Sequence, residues 1–262
     1  MSPFILPLAL IAVVYAGIII LNERYGLLSV DRFPSAGAKI SAYAALAIFL
    51  LIIVVLVTAS SLRAPTPKEL AATPFYRLFA LHFLLIAFLI IWWLLTGRPR
   101  VTEYLNVRTE RAGEALMTGL AVGFGGWLFT LALALIIGLL LSAAGLIPKN
   151  PQPSPMIGYM ATMAWWKKGL IVLSAMTVEE AFFRGWLQKR VGLLASTTLF
   201  AVAHTGLGQP LLLIGVFIIS MVIGATFYRT KNLIPGIVAH GVFDAIQIFV
   251  ILPVAFKMMG MG

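Results

Sequence analysis

Residues 40–62 read ISAYAALAIFLLIIVVLVTASSL, twenty-three positions without a charged side chain, glycine or proline. A helix needs about 20 apolar residues to cross a hydrocarbon core roughly 30 Å thick. Runs of the same kind recur at residues 3–21, 78–96, 116–146, 165–189, 191–204, 211–228 and 233–256. The chain is 61% hydrophobic and 11% charged, whereas a soluble domain carries roughly 45–50% apolar and about 25% charged residues. An all-α, polytopic membrane helical bundle of about eight transmembrane helices is predicted. The run at 191–204 is the short one, since its 14 residues rise only about 21 Å as a helix. The first run has no basic residue before it and exceeds a signal-peptide core, so it reads as an uncleaved span. Two halves follow: residues 1–164 with four spans and residues 165–262 with four.

Between the runs stand the polar segments. Residues 98–114 mix acids and bases as a solvated interfacial loop or short amphipathic helix does, and Pro148, Pro151, Pro153 and Pro155 mark a loop. Gly119, Gly123, Gly125 and Gly126 lie in the fourth run, where small residues let helices approach closely in lipid. Net charge is +10. Lys and Arg fall mainly between the runs, where they orient helices and meet anionic head groups, so the predicted partner is the lipid bilayer and not nucleic acid. If spans alternate sides, one side holds Arg24, Arg32, Lys39, Arg98, Arg100, Arg108, Arg111, Arg184, Lys189, Arg190, Arg229 and Lys231. The other holds Arg63, Lys68, Arg77, Lys149, Lys167, Lys168 and Lys257, which places the first, richer set in the cytoplasm and both termini outside. The location expected is the cell membrane, as a multi-pass protein. There is no cysteine, which excludes disulfides, thiolate nucleophiles and Cys-based zinc sites.

An ionisable group within an apolar span costs at least about 2.5–3.5 kcal/mol near the centre, so each needs a partner or a function. Glu179, Glu180, His204, His240 and Asp244, with Arg184 at the edge, all fall in the last four runs. Counted from Arg190 and Lys231 at 1.5 Å per residue, Glu179, His204, His240 and Asp244 lie about 16, 21, 13 and 20 Å deep, a common level for three helices. His240 and Asp244 are four apart and share a helix face, while Glu180 and Arg184 have the spacing and order of an intrahelical ion pair. Glu179 has Phe182 and Phe183 at those offsets and needs a partner from another helix. The first four runs offer only His82, near the start of its segment, which reads as an interfacial or snorkelling residue.

At these residues three motifs stand in order: EExxxR from Glu179 to Arg184, FxxxH from Phe200 to His204, and HxxxD from His240 to Asp244. They resemble the CPBP family, which includes CAAX prenyl endopeptidases, bacteriocin-processing enzymes and abortive-infection proteins. The flanks agree, with Gly185 and Leu187 after Arg184 and Pro235 before His240. The resemblance covers about a third of the chain and implies that residues 165–262 are a CPBP-like catalytic core. The activity implied is intramembrane endopeptidase cleavage of a peptide or protein substrate that is lipidated, membrane-anchored or C-terminally tagged. It further implies that Glu179 activates water with help from His204, that His240 and Asp244 stabilise the oxyanion, and that Glu180, Arg184 and Phe200 support them. Asp244 stands where the prenyl endopeptidases have Asn. An ionised Asp cannot donate to an oxyanion, so it must be protonated, orient His240 or bind a metal.

Two histidines and a carboxylate could form a zinc shell. HExxH is absent, and the resemblance to glutamate-type enzymes favours no metal and no cofactor. Two other classes compete with catalysis. One is a non-catalytic membrane protein of the same fold serving as an immunity factor or scaffold, which has no reason to bear the insertion cost of Glu179, His204 and His240 together. The other is an ion-coupled transporter, for which inverted repeats and paired broken helices would be expected.

Overall fold

The computed structural model describes residues 5–26, 30–62, 65–146, 154–207 and 209–258. Helix is the sole regular element among them. The order is α1 (Ile5–Tyr25), α2 (Ala36–Leu62), α3 (Pro67–Ala72), a 3₁₀ stretch (Phe75–Phe79) leading into α4 (Ala80–Leu95), α5 (Val101–Leu105), α6 (Ala112–Ala143), α7 (Pro155–Thr162) and α8 (Trp165–Ser174), with a second 3₁₀ turn (Thr205–Leu207) further on. Two π-helical stretches, Ala175–Glu179 and Ala181–Gln188, continue α8. Then come α9 (Lys189–Ala203), α10 (Pro210–Thr230), α11 (Leu233–Ala245), a further π-helical stretch (Ile246–Ile251) and α12 (Leu252–Met258).

Five helices among the described residues are long and apolar enough to span a membrane: Ala36–Leu56, Phe75–Leu95, Ala112–Ala143, Leu211–Thr230 and Leu233–Met258. The protein is thus an integral, multi-pass membrane protein, and the expected count of eight spans is not reproduced. Two of the expected eight differ for a visible reason. The run at 165–189 carries Lys167, Lys168, Glu179, Glu180 and Arg184, and the run at 191–204 is short, its helix starting only after Gly192, whose φ of 82° lies outside the helical region. The proline-rich link expected at 148–155 lies outside the described residues up to 153. The mixed-charge segment contains α5, which ends in a left-handed Asn106.

Helix packing follows the small residues. A Cβ on Gly119 would meet Val238 Cβ at 2.5 Å, and one on Gly123 would meet Val242 Cβ at 2.7 Å, so α6 and α11 run in backbone-close contact. Gly126 turns to Ile219 on α10, whereas Gly125 faces open space. The expectation of close approach holds for three of the four glycines. A second contact is aromatic: Phe49 of α2, Phe88 and Trp92 of α4, and Phe182 and Trp186 of the π-helical stretch form one buried cluster. Phe88 and Trp92 meet Trp186 edge-on at centroid distances of 4.8 and 5.1 Å, a geometry aromatic quadrupoles favour.

The polar connections sort to opposite ends. At one end Arg190 is ion-paired with Asp31, Lys189 Nζ donates to the Tyr104 carbonyl and to Asn106 Oδ1, and Asn232 exchanges hydrogen bonds with the Arg108 backbone at 3.1 and 3.0 Å. Burial pushes the Tyr104 hydroxyl above its ordinary pKa, against the pull of the nearby Arg190 guanidinium. At the other end Lys167 lies over the Phe75 ring at 5.3 Å and Gly158 lies against the Phe256 ring.

Candidate active site

All three histidines of the chain converge on Glu179 and Glu180. The helix carrying the glutamates is π-helical on either side of Glu180. Wider turns of this kind are rare, and they re-aim side chains at functional sites. The two neighbouring glutamates consequently face different helices. Glu179 looks to α4 and to the end of α9, and Glu180 looks to α11.

Glu179 Oε1 lies 3.0 Å from His82 Nε2, and Glu179 Oε2 lies 3.7 Å from His204 Nε2. Oε2 is buried without a hydrogen-bond partner. His204 caps α9 and its Nδ1 lies 2.8 Å from the Phe200 carbonyl. The interfacial reading of His82 is therefore corrected: it sits inside the bundle, 12% exposed, against the catalytic candidate. Its position three, seven and ten residues before the buried Leu85, Leu89 and Trp92 was the available signal, since those offsets put it on the core face of α4.

Glu180 is fully buried and lies 2.8 Å from Arg184 Nη1, as its i, i+4 spacing predicted. Its Oε1 also lies 2.9 Å from His240 Nδ1, a contact the spacing did not reveal. Gly236 permits this approach, because a Cβ there would stand 3.0 Å from Glu180 Oε2. The other nitrogen of His240, Nε2, lies 3.4 Å from Asp244 Oδ2, the same-face partner expected four residues on. Arg184 reaches further, donating to Ser220 Oγ at 3.0 Å and to the Ser220 carbonyl at 3.2 Å.

Phe200 is the apolar centre of this arrangement. Its ring meets His204 at 4.5 Å, His240 at 5.8 Å and the Arg184 guanidinium at 4.5 Å. Exposure divides the groups: Glu180 and Arg184 are dry, while His204 and Asp244 side chains are 25% and 21% exposed. Among the described residues no three His, Cys, Asp or Glu side chains are grouped as metal ligands.

No curated protein and no solved structure matches the chain. Residues 160–246 match the family model described as Rce1-like, type II CAAX prenyl endopeptidase. That segment holds Glu179, Glu180, Arg184, Phe200, His204, His240 and Asp244, and leaves His82 outside. With the ordered motifs and their convergence inside a membrane bundle, the match makes residues 160–246, a third of the chain, similar to the Rce1-like CAAX protease family.

Proposed function

We propose that the protein is an intramembrane endopeptidase in which Glu179 activates water to hydrolyse a peptide bond of a membrane-associated or C-terminally tagged substrate. The observation that carries this reading is a pair of facing acceptors. The Phe200 carbonyl can only accept, so Nδ1 of His204 carries a proton, and in the neutral ring Nε2 then presents a lone pair. Glu179 Oε2, itself without a hydrogen-bond donor, faces that lone pair at 3.7 Å. With the ring neutral, two acceptors so close call for a donor between them. A water molecule satisfies both by giving one hydrogen to each, which leaves its own lone pair free to attack.

The attack forms a bond from the water oxygen to the carbonyl carbon while Glu179 takes a water proton, and the carbonyl π electrons move to oxygen. His240 is the donor for the resulting oxyanion. Both of its nitrogens face carboxylate oxygens, so as an imidazolium it donates from Nδ1 to Glu180 and points Nε2–H, 3.4 Å from Asp244, where a substrate oxygen can share it. The proton on Glu179 then passes to the leaving nitrogen as the C–N bond breaks. Zinc forms no part of the proposal. Convergence of three ionisable helices at one depth supports catalysis over a scaffold, which would carry the insertion cost without return.

The test compares membrane peptides by mass spectrometry from cells making the wild type and Glu179→Ala. Loss of a defined set of C-terminal cleavage products in the variant, with the protein still inserted at wild-type level, is expected. Identical peptide sets would overturn the reading.

A further inference from the structure

We propose that His82 is a positioning residue for Glu179, held in register by Ser174, and that the catalytic unit therefore includes α4, which lies outside the matched segment. This rests on the reading of Glu179 as the base. A glutamate in an apolar span can turn about its side-chain torsions, and only one orientation leaves Oε2 facing His204. His82 supplies the restraint. Its Nε2 is 3.0 Å from Glu179 Oε1, and its Nδ1 is 2.7 Å from Ser174 Oγ. Ser174 is one turn and one residue before Glu179 along the same helix, so the imidazole bridges two points of one element from a neighbouring one.

The hydrogen bonds can be assigned in sequence. The carboxylate only accepts, so Nε2 of His82 carries the proton and donates to Oε1. In the neutral ring Nδ1 is then the acceptor, and the Ser174 hydroxyl donates to it. This chain ties Oε1 and leaves Oε2 as the one carboxylate oxygen that can take a proton from water. His82 is itself fixed by the core, because Leu85, Leu89 and Trp92 on its face of α4 are buried. Phe79 stands beside the imidazole with centroids 6.1 Å apart, keeping one flank apolar. An imidazole near lipid with no task would turn to the interface. This one has both nitrogens engaged inside the bundle.

The same three groups, in the order hydroxyl, imidazole, carboxylate, could also be read as a serine nucleophile with its base. The two readings differ in what Ser174 does, and the experiment separates them. The substrate is the membrane peptide whose cleavage distinguishes wild type from Glu179→Ala, made synthetically and assayed with purified protein in detergent. His82→Ala is expected to lower kcat by about 10- to 100-fold, the worth of a hydrogen bond to a charged group, with KM within about threefold because no substrate contact is removed. His82→Gln, whose amide can donate to Oε1, should recover most of the loss, and His82→Leu, of similar bulk, should not. Ser174→Ala should lose only a few-fold, about what one neutral hydrogen bond carries, and Ser174 should not react with a fluorophosphonate.

Wild-type kcat in His82→Ala, a change confined to KM, or equal loss in His82→Gln and His82→Leu would each overturn the assignment. So would a Ser174→Ala as inactive as Glu179→Gln together with fluorophosphonate labelling of Ser174. An active Glu179→Gln removes the glutamate reading itself, whereas an inactive Glu179→Gln beside an unimpaired His82→Ala removes only the role of His82.

Discussion

At the scale of single residues, the pair Glu179 and Glu180 shows how neighbours in sequence divide labour. Each keeps one carboxylate oxygen without a hydrogen-bond partner, but that of Glu180, enclosed between Arg184 and His240, lies against Gly236, whereas that of Glu179 faces the partly exposed His204. Glu179→Gln should cut cleavage by about 10²–10⁴-fold, the range for a general base, while thermal unfolding in detergent stays at the wild-type midpoint. Glu180→Gln should instead destabilise the protein by about 3–5 kcal/mol, the cost of leaving a buried partner charge uncompensated, seen as a lower unfolding midpoint. The reverse pattern would exchange the two roles. Asp244→Asn should cleave within about tenfold of wild type, because Asn keeps the shape and can donate to an oxyanion. Excess chelator should leave the wild type active. A stoichiometric metal lost together with activity in Asp244→Asn would refute the metal-free mechanism.

At the scale of elements, the site depends on how closely α6, which carries none of the candidate residues, can approach α11, which carries His240 and Asp244. Gly119 and Gly123 bring α6 to the backbone of α11 at Pro235 and Ala239, next to His240. Gly119→Val or Gly123→Val should cost about 1–3 kcal/mol through overpacking and reduce turnover by displacing His240. Gly125→Ala, where nothing lies within 4 Å, should change neither. Differential scanning in detergent and cleavage rates for the three variants check this, and equal effects at Gly123 and Gly125 would rule out the packing argument. The widened turns around Glu180 matter in a similar way. A regular α-helix would aim Glu179 and Glu180 only 100° apart with every following side chain in step, so the EExxxR spacing alone cannot say which helix each glutamate meets.

At the scale of the whole molecule, the polar ends agree with the alternation of spans read from the loops. Asp31, Tyr104, Asn106, Arg108, Lys189, Arg190 and Asn232 gather at one end. They come from the four connections that hold the larger share of Lys and Arg. We predict that this end faces the cytoplasm. The absence of native cysteine makes the test direct. Single cysteines at Arg100 and Arg229 should be shielded from an impermeant maleimide in intact cells, and one at Lys167 should be labelled. Labelling of Arg100→Cys and Arg229→Cys from outside would invert the topology.

The amino-acid order by itself determined the class of the protein, because a solvent preference is written residue by residue in apolar runs. It also determined the candidates Glu179, His204, His240 and Asp244, since charges in such runs are too costly to be incidental, and the two i, i+4 pairs, since helical periodicity is local. Only the tertiary structure decided the rest. That His82 belongs with Glu179, 97 positions away, follows from the packing of α4 on the π-helical stretch, a contact between non-neighbouring elements that no local spacing encodes. The second role of Glu180 against His240 depends on a missing Cβ at Gly236. Hydropathy also placed a boundary between the runs at 165–189 and 191–204, and only the structure shows what makes it, a backbone turn at Gly192 with a φ of 82°.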